Sequence, residues 1–188
     1  MRILIVDNGT KHLNELKDLF IAHSVASVMY QDIEKFDFTN IDAIFLSGGH
    51  DFAVNGNEKR LHSEINLIKN FDKPIFGICF GFELIARIFG ANLLELRERE
   101  KGVIDIQIEN PDRIFEGISN YQVYESHRWV VKDLPDDLIV LARSKDGIEA
   151  FKHKSRRVYA VQFHPEVFVD NTSWNKLINN FLELVNIS

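Results

Sequence analysis

Over the first half of the chain, short apolar runs rich in Ile, Val and Phe alternate with stretches of helical periodicity. The runs at 2–6, 25–29, 41–46 and 74–78 have the length and β-branched content of buried strands. Leu13, Leu16, Leu19 and Phe20, then Leu61, Ile65 and Ile68, then Leu84, Ile85, Ile88 and Phe89, recur at the three- and four-residue spacing of an amphipathic helix. From Gly102 the pattern changes to successive strands at 103–108, 121–124, 138–142, 148–151 and 158–163. Turn signals separate them at Pro111, Pro135-Asp136-Asp137 and Lys145-Asp146-Gly147. Trp174, Leu177, Ile178, Phe181, Leu182 and Val185 then form the apolar stripe of a closing helix. Strands alternating with helices predict an α/β fold: a mainly parallel central sheet with helices on both faces, and a smaller antiparallel β part in the C-terminal half. No repeat, low-complexity tract or linker divides residues 1–188, which predicts a single domain. A site is expected at the carboxyl edge of the parallel strands.

Composition narrows the setting. Of 188 residues 45% are apolar, enough for a sizeable core. A single cysteine excludes an internal disulfide, and Met1-Arg2-Ile3-Leu4-Ile5-Val6 meets Asp7 with no signal-like segment, so the cytoplasm is the expected compartment. No apolar stretch approaches the about 20 residues of a membrane helix. A net charge of −6 argues against nucleic acid as a partner. The one basic knot, Lys152, Lys154, Arg156 and Arg157, reads as a solvated loop face or a dock for an acidic partner. His12, His23 and His62 stand alone on expected helices, and no histidine has metal-ligand spacing, so neither a metal nor a cofactor is expected.

The chemistry gathers at three places. Gly77-Ile78-Cys79-Phe80-Gly81 joins a strand to a helix, and a glycine two residues to either side of the thiol permits the sharp turn of a nucleophile elbow. The amides and dipole of the following helix favour a thiolate there. His164-Pro165-Glu166 ends the last strand, where an imidazole can act as base and a carboxylate can fix its tautomer. Ser47-Gly48-Gly49 ends the third strand. Its glycine amides, together with the amide of Phe80, can meet a developing oxyanion.

These three elements, in this order and closing on Gln162-Phe163-His164-Pro165-Glu166-Val167, resemble the triad-type (class I) glutamine amidotransferases over nearly the whole chain. The resemblance implies their flavodoxin-like fold, Cys79 as nucleophile, His164 as base and Glu166 as its orienter. It also implies Gly49 and Phe80 as the oxyanion hole, and hydrolysis of glutamine to glutamate and ammonia. Gly48, Gly49, Glu83, Ser126, His127 and Arg128 fall where the family holds its substrate. The segment Ser126-His127 is expected between strands, with Trp129 either in the core or walling the pocket. Ile5-Val6-Asp7-Asn8-Gly9, Ser126-His127 and Lys152-His153-Lys154 look most like the separate amidotransferase subunit of GMP synthase. That likeness implies a separate synthetase partner using ATP to activate xanthosine monophosphate.

Three positions depart from the family pattern. Phe82 and Glu83 stand where histidine or methionine, then glutamine, are usual, and His50 stands where proline commonly follows the glycines. A carboxylate at 83 can accept from an ammonium but repels a carboxylate and opposes a thiolate at Cys79. Glu83 can equally be read as complementing the helix dipole, and His50 as having no role or rimming the pocket. Two alternatives to the glutaminase therefore stay open: a cysteine hydrolase of another γ-glutamyl amide or peptide, and a regulatory binding subunit whose pocket Phe82 and Glu83 have closed.

Overall fold

The computed structural model describes residues 1–49, 52–168 and 174–186. The first four apolar runs become β1 (Arg2–Asn8), β2 (Ser24–Met29), β3 (Ala43–Gly49) and β4 (Ile75–Ile78). The helical stripes become α1 (Leu13–Asp18), α2 (His62–Asn70), α3 (Phe80–Ile88) and, after the last strand, α4 (Asn175–Asn186). The second half supplies β5 (Leu93–Asp105), β6 (Gln107–Ile108), β7 (Gln122–Val131), β8 (Leu138–Arg143), β9 (Ile148–His153) and β10 (Val158–Val161).

Eight strands form one sheet in the order β2-β1-β3-β4-β10-β9-β8-β6. From β2 to β10 neighbours run parallel, and β9, β8 and β6 continue the sheet antiparallel. Both the parallel sheet and its antiparallel C-terminal extension agree with the sequence reading. Because β2 pairs with one edge of β1 and β3 with the other, the winding reverses at β1, and a crevice opens above the carboxyl ends there.

Alternation along the strands feeds two cores. Ile3, Ile5, Phe45 and Phe76 pack with Leu16 of α1 and Phe181 of α4 on one face, while Leu4, Val6, Ile44 and Leu46 pack with Ile68 of α2 and Leu84 and Ile85 of α3 on the other. Helices therefore cover both faces, as expected. The basic knot is partly structural: Arg156 donates to the Ile68 and Phe71 carbonyls at the end of α2 (2.7 and 2.9 Å), and Lys152 pairs with Asp112 at 2.6 Å.

The largest departure from the sequence reading is a ribbon. β5 and β7 pair only with each other, antiparallel, outside the main sheet. Most of β5, from Glu95 through Lys101, carries charged side chains that conceal its extended conformation, because solvent reaches the ribbon and no apolar alternation is required. The expected strand at 103–108 is divided between the two sheets, β5 ending at Asp105 and β6 pairing with β8.

Phe181 is the keystone of the α4 face, with ring centroids 5.5 Å from Phe45, 5.0 Å from Phe76 and 5.7 Å from Tyr159. Phe181→Ala is expected to cost about 3–5 kcal/mol in urea unfolding with an unchanged denaturant slope. A cost below about 1 kcal/mol would mean that α4 does not close this core.

Candidate active site

β4 ends at Ile78 and α3 begins at Phe80, so Cys79 alone turns the chain. It does so at φ 49° and ψ −101°, a conformation that residues with a Cβ seldom adopt. Its N–H donates to the Val161 carbonyl at 2.9 Å, and its own carbonyl accepts from the Glu83 N–H at 3.0 Å. The turn lays α3 against the sheet so tightly that a Cβ on Gly81 would lie 2.6 Å from the Leu46 carbonyl oxygen, and one on Gly77 would lie 2.8 Å from the Gly81 backbone. Both flanking glycines are therefore steric requirements. The Phe80 amide falls in the first turn of α3, where no intrahelical acceptor exists.

β10 lies beside β4, and the chain beyond it bends to bring His164 over the thiol. The His164 N–H donates to the Tyr124 carbonyl at 3.0 Å, and Nδ1 lies 2.8 Å from Oε1 of the buried Glu166. That leaves Nε2 as the ring nitrogen open to Cys79, whose thiol and the imidazole each shift the other's proton affinity. A Cβ on Gly48 would lie 3.0 Å from His164 Cε1 and 3.6 Å from Cys79 Cβ, so a side chain there would crowd the pair. Burial pushes the Cys79 thiol up; His164 pulls it down, and the Glu83 and Glu125 charges add to the rise. Burial also opposes protonation of His164, but Cys79 and Glu166 outweigh it and hold the imidazole well above its usual range.

Beside the thiol lies a cavity of about 400 Å³ bordered by Gly49, Cys79, Phe80, Glu83, Ser126, His127 and Arg128, with Arg99 and Trp129 at its wall. Of the expected substrate residues Gly49, Glu83, Ser126, His127 and Arg128 thus meet at one place, while Gly48 lies against His164 and Cys79 and does not border the cavity. Ser126 and His127 reach it from within β7, however, and not from a segment between strands: the polar sequence Glu125 to Arg128 hides a paired strand. Phe82 is buried against Phe151, ring centroids 4.8 Å apart, and does not border the cavity. Glu83 is buried; its Oε1 accepts from Gln162 Nε2 at 3.4 Å, and burial pushes its carboxyl up to about 7, against the pull of His127. His50 lies outside the described residues.

Family-level comparison agrees with this geometry. The family profile Glutamine amidotransferase class-I matches residues 4–184. The chain belongs to the class-I glutamine amidotransferases. It is similar to a glutamine-hydrolysing GMP synthase subunit of Pyrococcus abyssi, 34% identical over 190 residues, covering 97% of each chain. The subunit of the same name from Methanococcus vannielii is 35% identical over 191 residues, covering 97% of this chain and 96% of that one. A solved putative GMP synthase subunit from Thermoplasma acidophilum superposes with a TM-score of 0.83 at 29% identity, covering 99% of this chain and 94% of the other. A glutamine amidotransferase from Thermotoga maritima shares the fold at a TM-score of 0.85 and 19% identity, covering 100% and 99%.

In this amidotransferase several residues that the sequence reading did not single out shape the site. Asn8 accompanies a register shift in β1: its N–H donates to Ser47 Oγ at 2.9 Å, and its Nδ2 donates to Glu64 Oε1 at 3.0 Å. Ser47 Oγ in turn donates to the Gly48 carbonyl at 2.8 Å, so this network holds the glycine turn from beneath. His12 is not isolated, its ring lying 5.9 Å from that of His164. Asn8 and Ser47 entered the sequence reading only as members of the longer segments Ile5–Gly9 and Ser47-Gly48-Gly49, and Glu64 not at all.

Burial pushes Glu64 up to about 7, partly offset by Asn8, from an ordinary 4.5. Between these values the folded protein holds a proton that the unfolded chain has released, so stability falls as pH rises through the window. Glu64→Gln keeps the oxygen that accepts from Asn8 but cannot titrate. Its stability relative to wild type is therefore expected to improve by about 3 kcal/mol between pH 4.5 and pH 8. Urea unfolding at both pH values checks this, and parallel wild-type and variant curves would refute it.

Glu83 raises the thiol only while ionised. Glu83→Gln is expected to speed iodoacetamide alkylation of Cys79 above about pH 7, with the difference vanishing below about pH 6. Equal rates at pH 8 would separate the two groups electrostatically.

Proposed function

We propose that the chain is the glutamine-hydrolysing subunit of a two-chain GMP synthase, acting as one domain over residues 1–188 in the cytoplasm. The observation that carries this is Cys79 placed against His164, itself hydrogen-bonded to the buried Glu166, beside an open cavity.

His164 takes the thiol proton as Cys79 Sγ attacks the side-chain amide carbon of glutamine. The carbonyl oxygen gains the charge and is met by the Gly49 and Phe80 amides. On collapse the C–N bond breaks, protonated His164 gives its proton to the departing ammonia, and a glutamyl thioester remains. His164 then takes a proton from water, whose oxygen attacks the thioester. Glutamate leaves, and the proton returns to sulfur. Glu166 holds Nδ1–H throughout and stabilises the imidazolium. No step calls for a metal or cofactor.

The rest of the cavity suits an amino-acid zwitterion. Glu83 accepts from the α-ammonium, while Arg99 and Arg128 supply positive charge for the α-carboxylate that Glu83 alone would repel. This balance favours free glutamine over a substrate with only one of the two charges. Backbone groups at Gly48, Gly49, Ser126, His127 and Arg128 complete the hold. The relatives named as glutamine-hydrolysing subunits of GMP synthase support a separate synthetase as partner. There ammonia would replace the activated oxygen of xanthosine monophosphate at the expense of ATP.

The test combines the chain with its synthetase partner, ATP and xanthosine monophosphate. Glutamate release and GMP formation are expected to rise together. Cys79→Ser is expected to lose glutamine-dependent GMP formation by about 10³-fold or more while ammonia-dependent formation persists. Glutamate release without GMP would remove the proposed partner and leave the hydrolysis. Release undiminished in Cys79→Ser would remove the mechanism.

A further inference from the structure

Three side chains outside the triad bring ligand atoms to one buried point. Glu125 and His127 lie two residues apart on the same face of β7, and Glu149 lies near the start of β9. One ligand atom of each lies within 4.8 Å of the others, and the residues are 0%, 2% and 1% exposed.

The proton inventory leaves a gap at the centre. His127 Nδ1 lies 3.0 Å from the Trp129 carbonyl oxygen, which can only accept, so Nδ1 carries a proton, the only one when the ring is neutral. Nε2 then presents a lone pair, 3.0 Å from Glu125 Oε2. With both carboxyls ionised neither atom has a hydrogen-bond partner, nor do the second Glu125 oxygen and Glu149 Oε2, while a proton on one carboxyl would bond it to the other. Lone pairs facing at that distance repel unless positive charge lies between them. Two donor atoms 3.0 Å apart match adjacent ligands, each about 2.1 Å from a metal, that subtend about 90°.

The surroundings have the form that holds metal ligands in place. The imidazole gives its other N–H to a main-chain carbonyl, and the Ser144 hydroxyl donates to Glu149 Oε1 at 2.6 Å, leaving Oε2 free to face inward. Gln162 is paired opposite Glu149, its N–H donating to the Glu149 carbonyl at 2.8 Å, and its buried amide oxygen has no partner. It offers a neutral oxygen on the same face of the sheet.

We propose that Glu125, His127 and Glu149 form a binding site for one divalent first-row cation of the Zn²⁺ or Mn²⁺ type. Two carboxylates neutralise the ion, and the single imidazole favours such metals over Mg²⁺ or Ca²⁺. The ion ties β7 of the ribbon to β9 of the main sheet and so fixes the strand that carries Ser126 and Arg128. The site takes no part in the bond-breaking steps and stands apart from the glutaminase reading.

Because Cys79 and His164 could themselves capture a soft metal, the experiment uses both wild type and Cys79→Ser. Each is stripped with a chelator, equilibrated separately with Zn²⁺, Mn²⁺ or Mg²⁺, and read by elemental analysis, calorimetry and thermal melting. Cys79→Ser is expected to bind one Zn²⁺ or Mn²⁺ per chain with a rise in Tm of about 5 °C. Glu125→Gln and Glu149→Gln, each in that background, are expected to weaken binding at least about 10-fold. Absence of binding in Cys79→Ser, or unchanged affinity in both glutamine variants, overturns the proposal and leaves a shared proton as the charge at the centre. Should the glutamine variants fail to fold, the stoichiometry and chelator-induced fall in Tm of Cys79→Ser decide the matter alone.

Discussion

Everything at the site depends on one strained residue held between a sheet and a helix. Cys79 adopts a left-handed turn because the chain on either side is already committed: its N–H is bonded to Val161 in β10, and its carbonyl to the first turn of α3. Strain of this kind, on the order of 1–3 kcal/mol, persists only where the surroundings over-determine the conformation. Here they do so through the contact of Gly81 with Leu46 and the burial of Leu84 and Ile85 in the core beneath. The direction of the thiol is thus set by main-chain hydrogen bonds and apolar packing.

Around that apolar foundation the molecule gathers an unusual number of buried carboxyls. Glu64, Glu83, Glu125, Glu149 and Glu166 are all nearly inaccessible, and three of them bear directly on the site. Glu166 is bonded to His164, Glu83 shares the cavity, and Glu64 supports the glycine turn through Asn8 and Ser47. A thiol in this company resists ionisation, because desolvation and negative charge act in the same direction. By the proposed mechanism, a thiol that resists ionisation beside an imidazole of strong proton affinity suits a nucleophile formed on demand, in contact with its substrate, and otherwise protected from oxidation and stray alkylation.

What the sequence disclosed follows from how local each signal is. The elbow, the Gly48-Gly49 turn and the His164-Pro165-Glu166 terminus are each written within a few adjacent residues, so their types and spacing could be read directly. The parallel strands were equally plain, since burial on both faces leaves uninterrupted apolar runs. Strand β7 was legible only at its start. Its middle, Glu125 to Arg128, is polar because it faces a cavity and a cluster of acids, which cancels the alternation that marks a half-buried strand. The contacts of Asn8 with Glu64, and of Glu125 with Glu149, join positions far apart in the chain, and no spacing rule reaches across such distances.

The position of β10 has a consequence for the biosynthesis of the molecule. This strand enters between β4 and β9, in the interior of the sheet, although it is the last strand in the chain. It supplies the Val161 carbonyl that fixes the Cys79 turn, and it leads into the histidine that faces the thiol. A nascent chain emerging from the ribosome therefore carries its cysteine with neither the bond that orients it nor the histidine that faces it. Long-range parallel pairing is among the slower events of folding. By the proposed mechanism the chain can release ammonia only after that pairing is made, so its chemistry begins with completion of the sheet.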